Sequence, residues 1–195
     1  MLLLAQMTIV NPYLNASAPS GFSNMVINPN NLLDNPNNAP LFLARATSFP
    51  NSADGNSVND AFRITPTTVT GQRAMVVQTP VVNGVTYEFA VYAKTDGYPL
   101  VNVGAGVATF GVMRYASANI LTGVINGHNG LSAGVDDMEN GWKRVWIRLL
   151  CVETGNTTFE VKIGAFPDDF SENHSFTGDG VSGMLFWGRE YFIIP

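Results

Sequence analysis

The chain is short of charge. Asp, Glu, Lys and Arg make up 13% of its 195 residues, about half the roughly 25% of an average globular protein. Hydrophobic residues reach 46%, so this is not a disordered chain, which would combine low hydrophobicity with high charge. Two explanations fit. Much of the nominal surface is covered by other subunits, or the surface is built from Asn, Thr and Ser. Basic runs are missing too. The net charge is −5 and the pI about 4.8. Nucleic acid demands clustered Lys and Arg, so it is excluded as a partner. Cysteine occurs once, at Cys151, so no intrachain disulfide can form. It sits in the strand-like run Trp146-Ile147-Arg148-Leu149-Leu150-Cys151-Val152 and reads as a small buried hydrophobe rather than a nucleophile. A lone Cys suits synthesis in a cytoplasm. No segment approaches the length of a membrane span. Met1-Leu2-Leu3-Leu4-Ala5 lacks the basic flank and apolar length of a signal peptide.

The shortage of charge is absolute at the beginning. No Asp, Glu, Lys or Arg precedes Asp34. Asn11-Pro12, Ala18-Pro19-Ser20-Gly21 and Asn28-Pro29-Asn30-Asn31 are turn formers, which forbid a helix of any length. Apolar residues are spaced among them: Leu2, Leu3, Leu4, Ile9, Tyr13, Leu14 and Phe22. Residues 1–24 therefore read as an extended arm that docks on its own sandwich or on a neighbouring subunit. The alternative is an ordinary first strand with a frayed tail. Residues 25–195 read as one domain, with ample length for a core.

From about Met25 the pattern is β. Val81-Val82-Asn83-Gly84-Val85-Thr86-Tyr87 predicts a hairpin, because Asn-Gly supplies the positive φ angles of a type I′ turn. In the outgoing strand Tyr87, Phe89, Val91 and Ala93 share one face, and Glu88, Tyr92 and Lys94 the other. Along Lys143–Cys151, residues Val145, Ile147, Leu149 and Cys151 point to the core, and Arg144, Trp146 and Arg148 away from it. Phe159, Val161, Ile163 and Ala165 point inward, with Glu160 and Lys162 outward. Met184-Leu185-Phe186-Trp187 is apolar on both sides, as in a central strand. Val103-Gly104-Ala105-Gly106 and the tract from Gly123 to Gly134 read as Gly-rich loops. Short strands at this spacing predict an all-β antiparallel sandwich. There is no internal repeat.

The elements of common catalysts are also missing. No Gly-x-Ser-x-Gly elbow, phosphate-cradling loop or Cys/His metal spacing occurs. His128 and His174 sit in Gly- and Asn-rich stretches. A glycosidase needs two carboxyls held about 5–10 Å apart across a cleft, whereas Asp136 and Asp137 in a strand point to opposite faces. No enzymatic function is expected.

Four blocks occur in a distinctive order. These are Asn31-Leu32-Leu33, then Gly84-Val85-Thr86-Tyr87-Glu88-Phe89-Ala90-Val91-Tyr92-Ala93-Lys94, then Asn140-Gly141-Trp142-Lys143-Arg144-Val145. The last is Thr177-Gly178-Asp179-Gly180-Val181-Ser182-Gly183 through Trp187-Gly188-Arg189-Glu190. Together they resemble the jelly-roll module of phage structural proteins, with carbohydrate-binding modules as distant relatives. The blocks bracket about residues 30 to 190. The ending departs from the family's Trp-Gly-Ala-Gln-Leu-Glu, and the arm lies outside its pattern.

The resemblance implies an antiparallel jelly-roll β-sandwich in a virion, synthesised in the host cytoplasm. The expected role is a capsid decoration (cement) protein docking through its arm and an outer sheet face onto capsid or tail subunits. A homo-oligomer, and a trimer in particular, is implied by the symmetry of such proteins. The alternative is a glycan-binding tail or head appendage, with a cell-surface glycan as partner.

Arg144, Trp146 and Arg148, joined by Tyr92, are the candidate contact residues. Trp offers a flat apolar face for a sugar ring and Arg a planar fork for hydroxyls. The same trio also suits a stack buried by the arm or a second subunit. Glu88, Glu160 and Lys162 are expected to share that face. No cofactor is expected. Structural calcium is implied by distant relatives, but neither Asp136, Asp137 and Glu139 nor Asp168, Asp169 and Glu172 alone supplies six to eight oxygens. Solvated loop charges are the simpler reading of both clusters.

Overall fold

The computed structural model describes residues 43–49, 61–72, 74–138, 141–165 and 175–194. The arm of residues 1–24, the Asn31-Leu32-Leu33 block, Glu139, His174 and the Asp168, Asp169 and Glu172 cluster lie outside the described residues.

The described chain is almost wholly strand: β1 (Leu43–Phe49), β2 (Ala61–Pro66), β3 (Gly71–Gln72), β4 (Ala74–Val81), β5 (Thr86–Asp96) and β6 (Leu100–Ala105). A single helical turn, α1 (Val107–Phe110), precedes β7 (Arg114–Asn119), β8 (Val124–His128), β9 (Ser132–Asp137) and β10 (Lys143–Leu150). The chain closes with β11 (Gly155–Gly164), β12 (Ser175–Phe176) and β13 (Gly183–Ile194).

Two large antiparallel sheets result, ordered β1-β2-β13-β5-β10-β9 and β4-β11-β6-β7-β8. Without the edge strands, β2, β4, β5, β6, β7, β10, β11 and β13 can be numbered first to eighth. The sheets then run first-eighth-third-sixth and second-seventh-fourth-fifth. That order is the jelly roll, in which the first strand pairs with the eighth, the second with the seventh, the third with the sixth and the fourth with the fifth.

The core lies between the sheets. Phe89, Val91, Val145, Ile147 and Leu149 of one face Val101, Val103, Phe159, Val161 and Ile163 of the other. Phe89 is the hub, with ring centroids 5.2 Å from Phe159, 5.8 Å from Phe110 and 6.2 Å from Tyr191. Edge-to-face and offset aromatic pairs of this kind add to the area they bury. The period-two faces predicted for β5, β10 and β11 hold, and Cys151 is buried with its Sγ 3.0 Å from the Glu153 carbonyl.

Two local expectations fail. The Asn83-Gly84 turn exists: Gly84 has φ +80, and the Val85 amide donates to the Val82 carbonyl at 3.2 Å. It is not a hairpin, because β4 and β5 belong to different sheets. The turn is instead tied to the β10–β11 connection. Gly84 N donates to the Cys151 carbonyl, and Cys151 N to the Val85 carbonyl, each at 2.9 Å. Those bonds hold the crossing between the sheets at the rim of the sandwich.

The Gly-rich tracts are largely strand rather than loop. Gly104 lies within β6, and the 123–134 stretch contains β8 and the start of β9. Here glycine allows close approach. A Cβ on Gly104 would stand 2.6 Å from the Arg114 carbonyl oxygen of the paired strand. Composition alone reads such glycines as breakers, whereas strand-to-strand crowding selects them.

The Gly178–Gly183 segment is a built turn. Asp179 Oδ1 accepts from the Val181 and Ser182 amides at 2.8 and 2.7 Å, and Oδ2 from the Ser182 hydroxyl at 2.6 Å. The Asp179 amide in turn donates to the Tyr98 hydroxyl at 3.1 Å. This is the local capping that makes Asp a turn residue. Gly178 passes so close to β2 that a Cβ would stand 2.5 Å from the Pro66 and Thr67 carbonyl oxygens.

Candidate functional site

The outer face of the six-stranded sheet carries the predicted residues. Strand pairing sets them in rows. Arg144 of β10 lies beside Tyr92 of β5 and Asp136 of β9. Trp146 lies beside Ala90 and Gly134, and Arg148 beside Glu88 and Ser132. Beyond β5, Glu190 of β13 pairs with Ala90, and Phe192 with Glu88.

Glu190 reaches this face through a bulge. Met184 and Phe186 point into the core, so strict alternation would carry residue 190 inward as well. The register slips between Trp187 and Arg189, making Gly188 the extra residue. A bulge reverses the facing of everything after it. Tyr191 therefore packs against the core, and Glu190 meets Arg144 on the outside.

Arg144 is the centre of the charges. Its Nη2 lies 2.5 Å from Glu88 Oε1, its Nε 3.0 Å from Glu190 Oε2, and its Nη1 3.2 Å from Asp136 Oδ2. Its carbon Cζ stands 5.6 Å from the Phe192 ring centroid. Glu88 also accepts from Arg148 Nε at 2.7 Å, and the Tyr92 hydroxyl donates to Glu190 Oε1 at 3.1 Å. Arg144, Glu88, Glu190 and Tyr92 are all buried. Planar guanidinium donors suit several carboxylates at once.

Burial shifts the titrations here. It pushes the Glu190 carboxyl up to about 7, with Arg144 pulling only partly the other way. Burial raises Tyr92, and the charge of Glu190 raises it further. For Arg144 burial works against the charge, but Glu190 and Glu88 outweigh it and raise the guanidinium above its usual value.

The exposed corner of this face is Trp146, Arg148 and Asp136. The Trp146 indole lies against Gly134, where a Cβ would come within 2.4 Å of its Cζ2. Its Nε1 donates to Asp136 Oδ1 at 3.2 Å. The Arg148 guanidinium lies over the ring, 4.9 Å from the centroid. Side chains of Arg148 and Asp136 are 42% and 50% exposed. Three different neighbours thus fix one partly exposed aromatic ring between a donor group and an acceptor group.

The structure therefore brings Arg144, Trp146, Arg148, Tyr92 and Glu88 together as expected. It divides them into a buried part, Arg144, Tyr92 and Glu88, and an exposed part, Trp146 and Arg148. Glu160 and Lys162 do not join them. They lie on β11 in the five-stranded sheet, with Lys162 Nζ 3.0 Å from Glu160 Oε2. That expectation requires β11 to neighbour β10, whereas the chain crosses from one sheet to the other between these two strands. Asp136 and Asp137 do face opposite sides, Asp137 pairing with Lys143. Among the described residues, no three His, Cys, Asp or Glu gather where they would hold a metal ion.

Solved structures similar to this chain include the following three. One is the carbohydrate-binding module TmCBM61, in complex with β-1,4-galactotriose. It has TM-score 0.45 and 13% identity, covering 78% of this chain and 82% of that one. A second is the enzymatically active domain of tailspike protein 4 of bacteriophage CBA120. It has TM-score 0.40 and 11% identity, covering 78% of this chain and 18% of that one. The third is the carbohydrate-binding module CBM6cm-2 of Cellvibrio mixtus lichenase 5A, in complex with cellotriose. It has TM-score 0.39 and 7% identity, covering 80% of this chain and 91% of that one. No protein-family model and no curated protein matches the chain.

Proposed function

We propose that this chain is a non-enzymatic glycan-binding module of a phage virion, carried on a tail or head appendage. It binds through the exposed corner of the six-stranded sheet. The observation that supports this most is the fixed Trp146 ring, with Arg148 over it and Asp136 on its Nε1. Saccharides are bound by aromatic faces flanked by a few well-placed polar groups. The buried arginine-carboxylate network behind the ring holds Arg148 in place through Glu88, so the corner is ordered before a ligand arrives. In this reading the protein is made in the host cytoplasm and assembles with other virion proteins as a homo-oligomer, with a trimer as the simplest symmetric form.

Binding on a glycan array tests it. Wild-type protein retains at least one glycan, and Trp146→Ala loses it with little change in melting temperature. A wild type silent on every glycan contradicts the proposal.

A capsid decoration role is the second reading. A different observation favours it. Val82, Val112 and Val152 are each about half exposed at the rim where the sheets connect, and the Val152 amide donates to the Thr109 carbonyl at 2.8 Å. Apolar rims of this sort suit a subunit contact. Particles assembled with Val152→Asp would lose the protein under this reading and keep it under the first.

A further inference from the structure

The charges of the outer face have a definite balance, and it bears on which glycans fit. Resting on the glycan-binding reading above, we infer that the corner selects uncharged saccharides over acidic ones. The carboxyl groups of Glu88, Asp136 and Glu190 face two guanidinium groups, Arg144 and Arg148, so cations do not outnumber their partners even with Glu190 protonated. Arg144 is engaged by all three carboxylates, and Arg148 Nε by Glu88. Neither guanidinium is left without a counter-charge. The most exposed carboxylate, Asp136, lies at the edge of the ring that a sugar would cover.

Each polar group at the corner matches a neutral hydroxyl. Asp136 presents carboxylate lone pairs, which accept from sugar hydroxyls. Arg148 bonds Glu88 through Nε alone, so its terminal nitrogens carry donors for hydroxyl oxygens. A uronic or sialic acid carboxylate would bring a like charge to Asp136, and juxtaposed like charges discriminate between partners. The whole chain, at −5, adds to that repulsion at low ionic strength.

Affinity electrophoresis at low salt separates the possibilities. The gels contain either neutral polysaccharides (galactan, mannan, hydroxyethylcellulose) or acidic ones (polygalacturonate, alginate, polysialic acid). Wild type is expected to be retarded by at least one neutral polymer and by none of the acidic set. Asp136→Asn loses about tenfold in affinity for the neutral polymer, the scale of one hydrogen bond to a charged group. It also gains measurable retardation on an acidic one. Retardation of wild type by acidic polymers in preference to neutral ones overturns the selectivity while leaving the glycan-binding reading standing. So does an Asp136→Asn variant, folded by its melting curve, that binds as wild type does. Retardation by neither set overturns both.

Discussion

Arg144 Nε on β10 reaches across β5 to Glu190 Oε2 on β13, a distance of 3.0 Å between residues forty-six positions apart. The contact closes a charge network over the central strands of the sheet. It exists because the Gly188 bulge turns Glu190 outward. Several consequences can be measured.

Removing the cation strands its partners. Arg144→Met leaves Glu190 buried without its counter-charge and Glu88 with Arg148 alone. Loss of one member of a buried pair costs about 3–5 kcal/mol, which lowers Tm on the order of 10 °C for a domain of this size. Adding Glu88→Gln and Glu190→Gln recovers much of the loss, because the buried members of the network are then neutral and the charges left, Arg148 and Asp136, are partly exposed. Thermal melts of the single and triple variants check it. Equal destabilisation in both counts against a charge origin.

Stability also depends on the proton at Glu190. Its carboxyl titrates near 4.5 without burial and about 7 in the folded protein. The folded state thus holds the proton more tightly than the unfolded one. This contribution is complete below about pH 4.5 and is lost as pH rises through about 7. Glu190→Gln keeps a neutral side chain at every pH. The Tm of the variant minus that of wild type should therefore grow across this window. Parallel Tm curves would show that Glu190 is ionised throughout.

Asp179 behaves in the opposite sense. Hydrogen bonds from the Ser182 side chain and from the Val181 and Ser182 amides hold its carboxyl down to about 2. Its stabilisation of the turn is present above the ordinary carboxylate range and is lost as pH falls through about 2. Asp179→Ala removes the acceptor at every pH. Faster amide hydrogen exchange at Val181 and Ser182 in the variant, measured near neutral pH, is the expected result. Unchanged exchange there would mean that the side chain is not what orders the turn.

Much of the architecture is legible in the residues, and the reason is periodicity. Tyr87, Phe89 and Val91 or Val145, Ile147 and Leu149 alternate cleanly, so their faces follow from the pleat. Arg144, Trp146 and Arg148 then fall on the outer face by necessity. Relations set by long-range pairing are not legible. Nothing local to Val81–Tyr87 says that its two strands join different sheets, or that Lys162 and Arg148 lie in different sheets.

Glu190 was hidden by the parity of β13, where counting from Met184 places it in the core. Gly188 was the available signal, because a glycine inside a strand marks a bulge. Gly134 was hidden for a similar reason. It reads as a loop residue until Trp146 is seen lying against it. Asp136 read as a solvated loop charge until strand pairing set it beside Arg144.

The indole amide proton of Trp146 reports most directly on the central claim. The chain has three tryptophans, and Trp146→Phe assigns the signal. Titration with the neutral oligosaccharide that wild type binds should shift this resonance first and most. Gly134→Ala, which puts a methyl group 2.4 Å from Cζ2 and so displaces the ring, should weaken the binding while the fold persists. A saturable glycan titration that leaves the Trp146 signal unmoved would contradict the account.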